Sequence, residues 1–187
     1  MGNNIKIFGF AGSLRKQSYN KAILRVAANL NLQDITVETF DLEGIPPFNQ
    51  DLENQPPDRV KEFKSKIKAA DAILIATPEY NYSIPGVLKN ALDWASRPHG
   101  ENALEGKPVG IVGASIGMMG SSRAQYHLRQ CFVWLNMHPL NKPEVMVSTA
   151  QDKVDQEGNI TDAKTKEKIA EMVMALANWS RKLGFIK

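Results

Sequence analysis

The segment Ala72-Ile73-Leu74-Ile75-Ala76 is apolar at every position and lies between two stretches whose apolar residues recur at helical spacing. A strand without a polar side must be covered on both faces, which is the environment of a central strand in a parallel sheet. The same alternation runs through the chain. Residues 5–10 are short, apolar and β-prone, and residues 19–30 carry Ile23, Leu24, Val26, Ala27 and Leu30 on a helical period. Residues 35–40 alternate with period two, as a strand near a sheet edge does. A Pro-rich connection over 44–57 reads as a surface loop with a place at a subunit boundary, and Asp58 as the N-cap of a helix ending near Ala70. Pro85 fits the first turn of a helix through Val87, Leu88, Ala91, Leu92 and Trp94. Residues 108–114 form another buried strand, 122–136 a helix, and 143–147 the fifth strand. Residues 155–159 make a turn or small hairpin, and Thr161 or Asp162 caps a last amphipathic helix reaching Leu183. Five strands interleaved with five helices predict an α/β fold: a parallel sheet with right-handed crossovers and helices on both faces.

The length of 187 residues suits one domain spanning 1–187, and neither a repeat nor a linker divides it. The formal charge of +3 is spread along the chain, and the absence of a Lys/Arg block argues against nucleic-acid binding. Cys131 is the single cysteine, so an intramolecular disulfide is excluded; its place in Gln130-Cys131-Phe132-Val133-Trp134 reads as a packing thiol on a helix. That usage fits a cytoplasmic protein. Residues 1–10 enter a strand directly, without the charged and long apolar regions of a signal peptide, and no stretch has the length of a membrane span. His99, His127 and His138 are too scattered for a metal site.

In an open parallel sheet a ligand binds beyond the carboxyl ends of the strands, where strand order reverses. Three unusual loops fall at such ends. Gly12-Ser13-Leu14-Arg15-Lys16-Gln17-Ser18-Tyr19-Asn20 joins a strand to a helix, so backbone N–H groups and the helix dipole favour an anion there. Ser13, Ser18 and Asn20 add neutral donors and Arg15 a charged fork, a set suited to a phosphate monoester. The loop lacks the closing Gly-Lys-Ser/Thr of a nucleotide P-loop and the three-glycine spacing of a dinucleotide fold. The second loop, Thr77-Pro78-Glu79-Tyr80-Asn81-Tyr82-Ser83-Ile84-Pro85-Gly86, is stiffened by prolines and decorated by tyrosines, as a border for a flat ring requires. Glu79 has no His, Cys or second carboxylate near it in sequence to complete a proton-transfer pair. The third loop, Gly113-Ala114-Ser115-Ile116-Gly117-Met118-Met119-Gly120-Ser121-Ser122, has small residues that allow close approach to a ligand. Ser121 or Ser122 is expected to cap the next helix, and Ser115 to face the ligand.

These loops resemble the NADPH-dependent FMN reductase family within the flavodoxin-like fold, and most of all its bacterial chromate and quinone reductases. The first loop matches the family's phosphate loop. The segment from Pro78 to Gly86, continuing Leu88-Lys89-Asn90-Ala91-Leu92-Asp93-Trp94, matches its flavin-ring loop and helix. Arg123-Ala124-Gln125-Tyr126-His127-Leu128-Arg129-Gln130 and Asn141-Lys142-Pro143-Glu144 also resemble that group. One departure is Gln17, which stands where glycine is common. The resemblance implies a three-layer sandwich with strand order 2-1-3-4-5 and non-covalent FMN. Ser13, Arg15, Gln17, Ser18, Tyr19 and Asn20 would surround the phosphate. Pro78, Glu79, Tyr80 and Asn81 would run along the isoalloxazine, mostly through backbone groups, with Ser115 and Gly117 near its pyrimidine side. It further implies a ping-pong hydride transfer from NADH or NADPH to the flavin and on to quinones, chromate, azo compounds or free flavin, with no catalytic side chain. A dimer or homotetramer is implied too, with Arg123, Tyr126 and Glu144 as interface candidates. The alternative of the same fold is a flavodoxin-type electron carrier docking on protein partners; such carriers tend to be acidic.

Overall fold

The computed structural model describes residues 4–184. Residues 1–3, where the reading of the N-terminus begins, and the last three residues of the expected 1–187 domain lie outside the described residues. The chain runs β1 (Ile5–Ala11), α1 (Tyr19–Ala28), β2 (Ile35–Phe40), α2 (Asp58–Ala69), β3 (Ala72–Ala76), α3 (Gly86–Ala95), β4 (Pro108–Ala114), α4 (Ser122–Leu135), β5 (His138–Pro139), β6 (Val145–Val147) and α5 (Ala163–Lys182). The sheet is parallel, in the order β2-β1-β3-β4-β5, with β6 also on β4.

The central strands divide their side chains between two cores. Ile5 and Ile7 of β1, Leu74 of β3 and Val112 of β4 pack with Ile23, Leu24, Ile169, Val173 and Leu176 from α1 and α5. Phe8 and Phe10, Ile73 and Ile75, and Val109 and Ile111 turn to the opposite face, against α2, α3 and α4. There Phe10 and Phe63 meet edge-on with ring centroids 5.1 Å apart, a favoured aromatic geometry. Period two thus survives inside strands that read as uniformly apolar, because both faces are dry.

The fifth strand differs from its expected form. It consists of two short pieces, β5 beside the start of β4 and β6 beside its end. Pro143 lacks an N–H and cannot continue the ladder between them. Two helix starts shift by one residue: Pro57 and Pro85 occupy the N-cap positions, so Asp58 is the first residue of α2 and Pro85 lies outside α3. Asp162, rather than Thr161, caps α5 by accepting from the Thr165 N–H at 2.8 Å. The 155–159 segment is the expected small hairpin, closed by an antiparallel bridge between Val154 and Ile160. The 44–57 connection is tied to α3, since Asn90 and Trp94 both donate to the Pro46 carbonyl, at 2.9 and 2.8 Å. Cys131 is half-buried against the second core, and burial pushes its thiol up, as a packing role requires.

Candidate functional site

Strand order reverses between β1 and β3, and a cleft of about 410 Å³ lies over their carboxyl ends. It is lined by Ser13, Arg15, Ser18, Tyr19 and Asn20 on one side, by Pro78, Glu79 and Tyr80 on another, and by Ala114, Ser115 and Ile116. That volume lies within the range that holds cofactors. The three loops singled out by sequence therefore converge. Gln17, Asn81 and Gly117 stand away from the lining. Gln17 is beside Gly158, Asn81 sits in a turn, and the Gly117 carbonyl accepts from the Ser115 hydroxyl at 3.3 Å. Sequence reasoning missed Ala114 and Ile116. The available signal was an isolated large apolar residue two places beyond a buried strand, between small residues of the loop; its side chain is 67% exposed.

The phosphate-loop side is built on the N-terminus of α1. Ser18 caps the helix, its hydroxyl accepting from the Lys21 N–H at 3.4 Å, which leaves its O–H to donate. The N–H groups of Tyr19 and Asn20 find no backbone carbonyl among the described residues, as at any helix start. The Arg15 guanidinium lies over the Tyr19 ring, 4.7 Å from its centroid, at the mouth of the cleft. Asn20 has a different task from the one its position suggests. Its buried side-chain amide donates to the Ala114 carbonyl and accepts the Ala114 N–H, both at 3.0 Å, and so staples α1 to the end of β4.

Lys21 steadies this loop from behind, donating to the Leu14 carbonyl at 3.4 Å and to Asp41 at 2.6 Å. Burial pulls the Asp41 carboxyl up, but Lys21, the Glu43 N–H and the Arg59 charge together outweigh it and hold the carboxyl below its ordinary value of 3.8. A carboxyl lowered on folding contributes stability that is complete above its unfolded value and is lost as pH falls through the folded one. Because Asp41 is 41% exposed, that contribution is at most about 1 kcal/mol. Thermal melts of Asp41→Asn should therefore show a slightly less stable protein near neutrality whose stability falls less steeply than wild type from about pH 4 downward. Parallel curves would rule the pair out as an acid-sensitive brace.

The ring-side wall holds a two-residue hairpin. Tyr80 and Ser83 exchange both backbone hydrogen bonds at 3.0 Å, and Asn81 and Tyr82 between them have φ of 50° and 66°. Two left-handed residues make the turn that matches strand twist; asparagine suits that region and tyrosine does not. The Arg123 guanidinium sits 3.7 Å from the Tyr82 ring centroid. Glu79 has its side chain only 7% exposed. Its carboxylate accepts from the N–H groups of Arg123 and Ala124, at 3.0 and 3.3 Å, and pairs with the Arg123 guanidinium at 2.5 Å. Glu79, and neither expected serine, is thus the cap of α4. Ser121 is left-handed, with φ of 72° and no capping bond, and its hydroxyl instead accepts from Gln125 at 3.3 Å.

The glycines of the third loop also serve a different approach. A Cβ on Gly120 would lie 2.7 Å from the Met146 carbonyl carbon, and one on Gly113 1.9 Å from the Ser121 hydroxyl, so both accommodate the protein's own chain. Of the interface candidates, Arg123 is engaged as above, and the exposed Tyr126 hydroxyl reaches Glu144 at 3.2 Å within the same chain. His127 accepts from or donates to Ser83 at 3.0 Å. Arg97 and His99 line a separate cleft of about 400 Å³ with Trp134, beyond the end of α3. No group of three or more His, Cys, Asp or Glu able to hold a metal occurs among the described residues. No helix among them is long and apolar enough to cross a membrane.

The cleft therefore has a donor-rich end and a flat, largely apolar end. The one acid in its lining turns its carboxylate away onto α4, so nothing in the lining opposes a phosphate. That donor set fits FMN. Comparison with known proteins agrees. An NAD(P)H-dependent FMN reductase of Pseudomonas aeruginosa is 51% identical, the alignment covering 98% of this chain and 99% of the relative. A 2-hydroxy-1,4-benzoquinone reductase of a Burkholderia species is 40% identical over 95% of this chain and 97% of its own. The solved structure of FerB, a flavoenzyme NAD(P)H:(acceptor) oxidoreductase of Paracoccus denitrificans, superposes with a TM-score of 0.85 at 33% identity, over 95% of this chain and 98% of that one. The family model of the NADPH-dependent FMN reductases matches residues 5–152, and the chain belongs to that family.

Proposed function

We propose that this protein, as a single FMN-binding domain, takes electrons from NADH or NADPH and delivers them to quinones, with chromate, azo compounds and free flavin as further oxidants. The observation that carries the reading is the two-ended cleft, which collects donors around α1 and offers flat walls opposite. Ser13, Arg15, Ser18 and the first-turn N–H groups of α1 would hold the FMN phosphate, with Gln17 and Asn20 behind them. Pro78, Glu79, Tyr80 and Ser115 would border the ring, with Asn81 and Gly117 behind them. When bound, FMN would supply the redox chemistry, the hydride transfer that links nicotinamide to oxidant. The chain's part is to bind, orient and exclude water. Tyr80, which is 53% exposed, and Ile116 form an apolar rim over which a nicotinamide or a quinone can lie. The lining contains neither histidine nor cysteine, and the Glu79 carboxylate is spent on α4, so the reading assigns no side chain the role of base or nucleophile.

The proposal extends to a cytoplasmic homo-oligomer, a dimer or homotetramer. It is supported by Tyr126, Val133 and Trp134, which leave an exposed apolar stripe along α4 adjoining Arg123 and Glu144.

Arg15→Ala tests the phosphate end. Losing one charge-assisted contact should weaken FMN binding by about 1–3 kcal/mol and leave the far-UV circular dichroism unchanged. Unaltered FMN affinity would remove Arg15 from the phosphate site. Steady-state oxidation of NADH and NADPH by the holoprotein, with a benzoquinone or chromate as acceptor, tests the reaction, and an FMN-loaded protein that oxidises neither would exclude it.

A further inference from the structure

We infer that Glu79 and Arg123 are positioning residues that lock the two ring-side walls of the cleft to each other, and that the flavin ring's affinity and reduction potential depend on this lock. The inference rests on FMN occupying the cleft as proposed above.

The two walls come from separate loops. One follows β3 and contains Pro78, Glu79 and Tyr80; the other follows β4 and runs through Ser115 and Ile116 into α4. Among the described residues no backbone hydrogen bond joins one to the other. The first leaves the sheet at Thr77, whose hydroxyl donates to the Pro78 carbonyl at 2.8 Å, and then closes on itself as a hairpin with two left-handed residues at the tip. The second ends in a left-handed Ser121 that leaves the N-terminus of α4 without a cap of its own.

Glu79 closes both gaps with one carboxylate. One oxygen takes the orphan N–H groups of Arg123 and Ala124, and the other takes the Arg123 guanidinium. An anion at a helix N-terminus is favoured by the dipole, and burial makes its hydrogen bonds stronger than surface ones. Arg123 then extends over Tyr82, on the strained tip of the same hairpin. His127, one turn further along α4, holds Ser83 at the hairpin's other end. Residues 123, 124 and 127 thus carry the whole 79–83 segment on the first turns of α4. The Glu79 backbone is free to face the ring because its side chain is anchored elsewhere. The charges are balanced inside the lock, so substituting only one of them changes the field at the neighbouring ring.

Apoprotein titrated with FMN and, separately, with riboflavin tests this, because riboflavin has the ring without the phosphate. Glu79→Gln keeps the shape and removes the charge. It should weaken both ligands by the same factor, roughly tenfold, whereas Arg15→Ala should weaken FMN alone. The midpoint potential of FMN bound to Glu79→Gln should become more positive, since the uncompensated Arg123 cation favours the reduced, more negative ring. Arg123→Lys keeps the charge, so it should loosen flavin binding with a smaller change of potential; it also serves if Glu79→Gln folds poorly. Unchanged affinity in both variants, a loss confined to FMN, or an unshifted potential accompanied by a lower melting temperature of the apoprotein would overturn the inference. Failure of the wild-type protein to bind either flavin would instead overturn the reading beneath it, and the inference with it.

Discussion

Gly113→Ala should lower stability by about 3 kcal/mol and strip the protein of its ability to retain FMN. Gly113 lies in β4, paired with Met146 of β6, directly below the cleft. A methyl group there would stand 1.9 Å from the Ser121 hydroxyl oxygen and 2.4 Å from the Thr77 carbonyl oxygen. Neither neighbour can yield cheaply. The Thr77 carbonyl is backbone, and the Thr77 N–H is bonded to Val112 at 2.9 Å in the sheet. Ser121 is fully buried, left-handed and held by Gln125. Thr77 leads into the Pro78–Glu79 wall and Ser121 into α4, so relief of the overlap separates the walls that Glu79 joins. Gly110→Ala is the matched control in the same strand. Its tightest neighbours would be the Met172 sulfur at 3.0 Å and a Leu176 methyl at 3.2 Å, which belong to flexible side chains. The third neighbour, a Leu74 methyl at 3.6 Å, is at ordinary contact distance. The substitution should cost about 1 kcal/mol and leave FMN binding intact. Urea unfolding and FMN titration of the two variants measure the contrast. A Gly113→Ala protein with wild-type stability would show that the overlap is relieved without cost.

The parts of this molecule legible in the sequence are those governed by neighbours along the chain. The apolar run of β3, the helical periods of α1 and α3 and the loops that follow buried strands each carry a local signature, and together they specify the sheet and the place of the cleft. The features that escaped are contacts between residues far apart in sequence. Ser121 and Ser122 are ordinary capping residues by type and position, yet the cap is a carboxylate 44 residues upstream in space-filling contact with α4. The glycines of the third loop announce a close approach, but their composition does not say whether the approaching atoms belong to a ligand or, as at Gly113 and Gly120, to the protein. The two-residue β5 is too short to show any period, so the edge strand was seen only in its second piece, around Val145 and Val147. Tyr82 in a left-handed turn runs against its residue type, and the reason, a guanidinium lying over its ring, belongs to another helix.

Asn20 joins the legible and the illegible, and Asn20→Leu should cost about 2–6 kcal/mol, because it leaves the N–H and the carbonyl of Ala114 buried without their partner, at about 1–3 kcal/mol each. By sequence Asn20 belongs to the phosphate loop, and it does line the cleft. In the fold its amide is 2% exposed and both of its polar atoms are used by Ala114, 94 residues away. A ligand residue and a clamp make different predictions. Replacing a phosphate ligand should spare the apoprotein and weaken only FMN. Replacing the clamp should destabilise the apoprotein first, because the end of β4 loses its tie to α1 whether or not FMN is present. Asn20→Asp separates the roles further: it keeps an acceptor for the Ala114 N–H but sets a carboxylate against the Ala114 carbonyl and near the phosphate end of the cleft, so FMN affinity should fall by more than stability does. Urea unfolding of both apoproteins, followed by FMN titration, decides the matter. Wild-type stability in Asn20→Leu with weakened FMN binding would return Asn20 to the phosphate. Loss of stability in the apoprotein would mean that the phosphate loop and the ring wall are held in register by one buried amide, which makes the spacing between the two ends of the flavin site a property of the core.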